Sequence, residues 1–248
     1  MTLPSVTPWH GVDLVEPLPG GARNRVFLAR RGGRRLVVRT STRAPDALRW
    51  ELDLLDHLAA AGFPVPVPVP SDDGRRQVDG VMVTDFVAGR PPRDVDDWRR
   101  VVETLETLHE LTVGWPQRPG FASSRELLTA DRGGDVRLDT MPPDGVRAVR
   151  AAWRPLAADR ECVVHGDVGA GNILVDGSRM TLLDWDESRV DVPWFDFAFV
   201  PEDVEVPVPV GRSVLVTAGI AWEAATCWVP EPEYAARRLA ELHTRGAV

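Results

Sequence analysis

The sequence predicts an α+β fold of two lobes: a small N-terminal lobe built on an antiparallel sheet, then a larger, mainly helical C-terminal lobe. Three observations carry this. Residues 11–40 are Val- and Leu-rich segments separated by PGG and RGG turns, the pattern of short paired strands. From residue 94 onward, apolar residues recur mainly at helical spacing. One small hairpin, within VVHGDVGAGNILVDGSRMTLLDWDE at 163–187, interrupts those helices. A chain of 248 residues is long enough for two lobes that each bury a core. VAGRPP places the boundary near 86–92, dividing the chain into 1–86 and 87–248.

Within the first lobe, GVDLVEPL, RVFLARR and RRLVVRT are the candidate strands. APDALRWELDLLDHLAAA then changes period, with Leu48, Leu52, Leu55 and Leu58 on one helical face and Gly62 as the C-terminal cap. The prolines of FPVPVPVPSDDG remove backbone donors and hold the chain extended, as a connector or an edge strand. GVMVTDF is a buried-strand candidate. In the second lobe a helix is expected over 94–111, loop over 115–122, and further helices near 123–130, 144–158, 212–226 and 231–245.

Composition narrows the function classes. The net charge is -8 and every one of the 29 basic residues is arginine. An acidic excess argues against a general nucleic-acid binder, which needs a basic face for phosphates, and suits a cationic small molecule. No apolar stretch approaches the roughly 18 residues of a membrane span, the N-terminus lacks the pattern of a signal peptide, and two cysteines make no disulfide framework. A cytoplasmic protein, monomer or homodimer, is the expectation.

The chemistry concentrates in the hairpin segment. Val163 and Val164 form a short apolar strand that delivers His165, Gly166 and Asp167. Gly166, Gly169 and Gly171 let the loop turn sharply. Asn172 opens the strand NILV, Asp176-Gly177 is a hairpin turn, and the return strand ends at Asp184. The hairpin therefore returns Asp184 to the end that carries Asn172. An amide oxygen and a carboxylate, with positions left for water and phosphate, suit Mg²⁺. A further carboxylate, Asp167, is placed to orient a hydroxyl and accept its proton. The D-x4-N spacing of Asp167 and Asn172 is that of kinase phosphoryl transfer.

HGDVGAGNILVDG and LLDWDE together resemble the catalytic segment of the aminoglycoside phosphotransferase and choline kinase family, whose members have a protein-kinase-like fold. VDVPWFDFA at 190–198 is similar to the family's next element, where Asp196 would buttress the catalytic loop; Val190 stands where the family usually has glycine. The resemblance implies ATP or GTP as phosphoryl donor and Mg²⁺ held by Asn172 and Asp184. It implies a phosphate-covering loop in LPGGARNRVFLA, whose backbone N–H groups at Gly21 to Asn24 meet phosphates. It places Arg39 in the strand position of the usual lysine and Glu51 as its helix partner. It makes 81–92 the hinge, with backbone groups around Asp85 to Val87 at the adenine edge and Val38, Val83, Leu174 and Leu183 as candidates to enclose the base. His109 reads as a core histidine.

For the acceptor, Asp186, Glu187, Asp191, Glu202, Asp203 and Glu205 form an acid-rich stretch, and Trp185, Trp194, Trp222 and Trp228 offer cation–π faces. These point to a small cationic acceptor such as an aminoglycoside; amino alcohols and other sugars stay open. Two other readings stand beside phosphotransfer: a catalytically weak kinase-like protein that binds nucleotide or a partner, and a metal-dependent hydrolase using the same carboxylates.

Overall fold

The computed structural model describes residues 3–18, 24–156 and 160–246. Its strands are β1 (Val12–Leu18), β2 (Arg25–Arg31), β3 (Arg34–Thr40), β4 (Gln77–Val78), β5 (Val81–Asp85), β6 (Arg132–Gly133), β7 (Val136–Arg137), β8 (Cys162–Val164), β9 (Ile173–Asp176), β10 (Arg179–Leu182) and β11 (Arg189–Asp191). Its α-helices are α1 (Pro45–Ala60), α2 (Val95–Leu111), α3 (Pro143–Trp153), α4 (Arg212–Thr226) and α5 (Pro232–Thr244). The fold is α+β, with an N-terminal antiparallel sheet. It divides into two compact units, Met1–Arg90 with Leu174–Leu183, and Pro91–Ile173 with Asp184–Val248. No helix among the described residues is long and apolar enough to cross a membrane.

In the first unit the sheet order is β1-β2-β3-β5-β4. Alternate residues of the strands point to one face, so Phe27, Ala29, Leu36, Val38 and Val83 close a core over Trp9. The indole N–H of Trp9 donates to the carbonyl of Val69 at 2.8 Å, which satisfies the buried polar atom. The proline-rich segment runs along β5. Val69 N–H donates to Val83 at 2.8 Å and Asp85 N–H donates to Val67 at 2.9 Å, while the intervening Pro68 needs no acceptor.

Helix α1 starts with Pro45 in its first turn, where a missing N–H costs nothing. It ends at Gly62, which adopts φ +79°. There Gly62 N–H bonds Ala59 and Phe63 N–H bonds Leu58, the paired closure that caps the last carbonyls. Leu48, Leu52, Leu55 and Leu58 are all buried. The β9–β10 hairpin is joined to residue 90 by a reciprocal pair, Arg90 N–H to Val175 at 3.1 Å and Val175 N–H to Arg90 at 2.7 Å. Gly89 permits this approach, since a Cβ there would lie 2.9 Å from the Cβ of Leu174.

In the second unit, Asp94 caps α2 by accepting from Asp97 N–H at 2.9 Å, and Asp97 accepts in return from Arg93 N–H at 2.9 Å. Strand β8 pairs antiparallel with β11, with Val163 opposite Val190.

Two helix expectations are corrected. The helix near 123–130 is one 3₁₀ turn, Glu126–Leu128. Ser123 and Glu126 exchange cap hydrogen bonds of 2.7 and 3.2 Å, but the β6–β7 hairpin begins at Arg132, leaving no length for a helix. The helix expected over 144–158 ends at Trp153 and gives way to a 3₁₀ turn at Arg154–Leu156. Pro155 has no N–H to continue the ladder. Strand β11 and the β6–β7 hairpin were not expected; two- and three-residue pairings leave too little periodicity to read.

Candidate active site

Strand β8 is wholly buried, and it carries the chain to His165 and a turn at Gly166. Gly166 has φ +84°, and a Cβ there would meet the Glu187 carbonyl oxygen at 2.7 Å and Arg189 Nη1 at 2.9 Å. Only glycine fits. The turn is held from beneath by Asp196. Its Oδ2 accepts from His165 N–H at 2.9 Å, its Oδ1 accepts from Gly166 N–H at 2.9 Å, and His109 Nε2 lies 2.9 Å from Oδ2. Burial would raise the Asp196 pKa, but the hydrogen bond and charge of His109, with the backbone N–H of Gly166, hold it below the usual carboxylate range. His109 is thus buried, as expected of a core residue, and it also supports this carboxylate.

Asp167 follows directly and is exposed. The Asn172 side-chain amide donates to Asp167 Oδ2 at 2.7 Å and to its backbone carbonyl at 3.1 Å. Two turn bonds, Gly169 N–H to Asp167 at 3.0 Å and Asn172 N–H to Gly169 at 2.9 Å, fold the intervening residues so that this contact forms. Both amide protons of Asn172 being used toward Asp167, its carbonyl oxygen remains the atom available to an outside partner.

Asp184 ends the hairpin in a left-handed conformation, φ 55° and ψ 73°. A non-glycine residue there is held against a cost of about 1–3 kcal/mol by its surroundings. The 3₁₀ turn that follows, Trp185–Glu187, is pinned by Arg118, which is fully buried and donates Nη1 to the carbonyls of Trp185, Asp186 and Ser188 at 3.1, 2.9 and 3.2 Å. Arg118 lacked any signal in the sequence: an arginine in a loop reads as a surface residue.

The donor chemistry of Asn172 and Asp184 fits Mg²⁺, a hard cation that takes few protein oxygens and keeps positions for water and phosphate. Among the described residues no three His, Cys, Asp or Glu side chains are grouped to hold an ion by themselves.

In the first unit, Arg39 of β3 and Glu51 of α1 form an ion pair whose side chains are 14% and 2% exposed. The Arg39 guanidinium also lies 3.9 Å from the Met82 sulfur. Asn24 is buried, while Gly21 lies outside the described residues. Asp85 pairs with Arg34 at 2.5 Å, and Phe86 N–H donates to Arg35 at 3.3 Å. Val87 is half-buried, and its backbone makes no hydrogen bond to a described residue. Val38 and Val83, expected as base-facing candidates, are wholly inside the core; Leu174 and Leu183 are half-buried.

The acid-rich stretch does not form one patch. Asp191 is fully buried, where it accepts from Ser124 N–H at 3.0 Å, Ser124 Oγ at 2.7 Å, Val192 N–H at 2.9 Å and Arg189 Nε at 2.9 Å. Asp186 is buried as well and Glu187 is half-buried, leaving Glu202, Asp203 and Glu205 exposed. Three of the four tryptophans have partners within the fold, and Trp194 is half-buried. Trp185 is buried against His165, with ring centroids 4.9 Å apart. The Trp222 ring receives the Arg189 guanidinium at 3.3 Å, so its face already holds a cation. Trp228 donates its indole N–H to the Thr140 carbonyl at 3.0 Å.

No curated protein was matched. Among solved structures, a microcompartment-associated aminopropanol kinase is 20% identical, with a TM-score of 0.67 over 97% of this chain and 93% of the other. Aminoglycoside phosphotransferase APH(4)-Ia is 14% identical, with a TM-score of 0.67 over 97% of this chain and 95% of the other. Spectinomycin phosphotransferase APH(9)-Ia, solved with ADP and spectinomycin, is 13% identical, with a TM-score of 0.63 over 96% of this chain and 89% of the other. At such identities the likeness is one of fold. The sequence matches the phosphotransferase enzyme family over residues 14–240, most of its length, and the chain belongs to that family.

Proposed function

We propose that this member of the small-molecule phosphotransferases moves the γ-phosphoryl group of ATP or GTP to a hydroxyl of a small acceptor. The observation that carries the reading is the Asp167–Asn172 contact on a turn held by Asp196. Asp167 is exposed, as a group that must meet an incoming hydroxyl has to be. It orients that hydroxyl and accepts its proton as the oxygen attacks phosphorus. Asn172 fixes the carboxylate through Nδ2, which leaves its own Oδ1, with the Asp184 carboxylate, to hold Mg²⁺. The bound cation would neutralise charge on the phosphate oxygens.

Arg39, anchored by Glu51, supplies the cation for the donor's phosphates. A guanidinium does the electrostatic work of an ammonium with a rigid fork. Gly21 and Asn24 are assigned to the segment that covers the phosphates, and backbone groups from Asp85 to Val87 to the base; the open Val87 backbone supports the second assignment. Catalysis on this account is positioning and charge neutralisation.

The arginine in place of the usual lysine favours one other reading, a kinase-like protein that binds nucleotide and transfers nothing. Nucleotide turnover with Mg²⁺, using ATP and GTP, against aminoglycosides, amino alcohols and sugars separates the two. Acceptor-dependent turnover supports phosphotransfer. Nucleotide binding with no turnover on any acceptor supports the second reading, and fast phosphate release with no acceptor points to a hydrolase.

A further inference from the structure

Helix α4 carries a glutamate whose position the phosphoryl-transfer chemistry does not use. Glu223 is 30% exposed. Tyr234 of α5 donates its hydroxyl to Glu223 Oε2 at 2.9 Å, and Arg238 of α5 pairs with the same oxygen at 2.5 Å. Arg238 is itself fixed by Glu241. Both α5 partners converge on Oε2, and no described residue bonds Oε1. The carboxylate is therefore clamped by one oxygen and offers the other.

Packing ties this part of α4 to the turn that carries Asp167. One turn of α4 before Glu223, Gly219 lets the helix close on Ala198 and Phe199: a Cβ there would lie 2.8 Å from each. Ala198 and Phe199 follow Asp196 by two and three residues, and Asp196 holds the Gly166 N–H beside Asp167. Arg238 lies 5.8 Å over the Phe199 ring, and that ring is 43% exposed. The neighbour of Glu223, Trp222, reaches the same turn through Arg189, whose Nη1 would touch a Cβ on Gly166. Electrostatics agree with the packing. Burial raises the Glu223 pKa against the opposing charge of Arg238, and the charge of Asp167 adds to the rise.

We propose that Glu223 is the acceptor-selecting residue of this phosphotransferase, its free Oε1 accepting a hydrogen bond from an ammonium or hydroxyl of the acceptor whose reacting hydroxyl meets Asp167. This rests on the phosphotransferase reading above. Phe199 supplies the apolar wall, and Tyr234 and Arg238 are positioning residues. A carboxylate already paired to a guanidinium carries a muted net charge, so what it selects is an N–H or O–H to share, not positive charge alone. A quaternary ammonium has no hydrogen to give to that oxygen, and the Trp222 face is already filled by Arg189. The selected class is therefore primary or secondary amino alcohols and amino sugars.

Calorimetric titration tests this on the full chain saturated with a non-hydrolysable ATP analogue and Mg²⁺. The probes are 1-amino-2-propanol and an aminocyclitol, each beside its N-permethylated quaternary form. The wild-type comparison needs no variant: at least one primary amine should bind at least about tenfold more tightly than its quaternary form, the scale of one charge-assisted hydrogen bond. Glu223→Gln should remove most of that preference. Equal binding of both forms, no binding of either amine, or an undiminished preference in Glu223→Gln would each overturn the assignment of Glu223. Failure of the phosphotransferase reading looks different: the amines bind with the preference intact, but no phosphate reaches any acceptor when ATP replaces the analogue.

Discussion

Asn172 and Asp167 share a 2.7 Å hydrogen bond in which the amide donates and the carboxylate accepts. The bond joins the residue assigned to the hydroxyl with one assigned to the cation, so neither position is independent of the other. Asn172→Ala removes the restraint on the Asp167 carboxylate and one oxygen of the cation site together. Asn172→Asp keeps an oxygen for the cation but puts like charge beside Asp167. Acceptor phosphorylation should fall about 10²-fold or more in the alanine variant, within the range of misplaced catalytic groups. Raising Mg²⁺ should recover part of the loss in Asn172→Asp and little in Asn172→Ala. Equal response of the two variants in a Mg²⁺ titration of turnover would count against the role of the amide oxygen.

Arg39 and Glu51 make a second, more buried pair. Arg39→Ala leaves the Glu51 carboxylate buried without this cation, a change that costs about 3–5 kcal/mol in such settings. Arg39→Lys keeps a cation and should lose less stability. Chemical denaturation measures both. In turnover assays the KM for the nucleotide should rise in Arg39→Ala and also, less steeply, in Arg39→Lys, with the acceptor KM little changed. An unchanged nucleotide KM in Arg39→Ala would remove this arginine from the donor site.

Two glycines of one loop predict opposite outcomes. Gly166 has φ +84° and no room for a Cβ, whereas a Cβ on Gly169 meets nothing within 4 Å. Gly166→Ala should lose about 1–3 kcal/mol from backbone strain alone, more from the clash with Glu187, and should lose most activity because Asp167 moves with the turn. Gly169→Ala should be near neutral. Thermal unfolding and turnover of the two variants side by side provide the check.

Asp196 predicts a pH dependence. Its folded pKa lies below the unfolded value of about 3.9, so the stability it contributes is fully present above that value and is lost as pH falls through the folded one. Asp196→Asn should therefore show a flatter fall in stability with acid than the wild type, and lower stability at pH 7. Denaturation midpoints measured from pH 7 to about pH 2, across the window below the unfolded value, test the sign. A steeper acid limb in the variant would contradict it.

Local signals sufficed where the chain makes its structure from neighbours. The strands of residues 12–40, the leucine face of α1 with its Gly62 stop, and the Asp176-Gly177 hairpin are each written in a few consecutive residues. The D-x4-N spacing that brings Asp167 and Asn172 together was legible for the same reason, five positions apart with Gly169 and Gly171 between them; the hydrogen bond between them was not. What was not legible depends on distant partners. Arg118 and Asp191 look like surface charges in sequence, yet the fold buries each and satisfies it with groups far along the chain. The same holds for Trp222: a ring that reads as an exposed cation–π face turns out to hold an arginine of the protein itself. Glu223 carries no motif, and only the convergence of α4 and α5 singles it out.

The central claim is that Asp167 acts on an acceptor hydroxyl during phosphoryl transfer. Phosphorus NMR of a wild-type reaction with ATP, Mg²⁺ and a turned-over acceptor, run beside Asp167→Asn, tests it most directly. The account predicts a phosphomonoester of the acceptor in the wild type, and in Asp167→Asn a rate lower by about 10²–10⁴ with nucleotide affinity retained. A variant that phosphorylates the acceptor at the wild-type rate would contradict it.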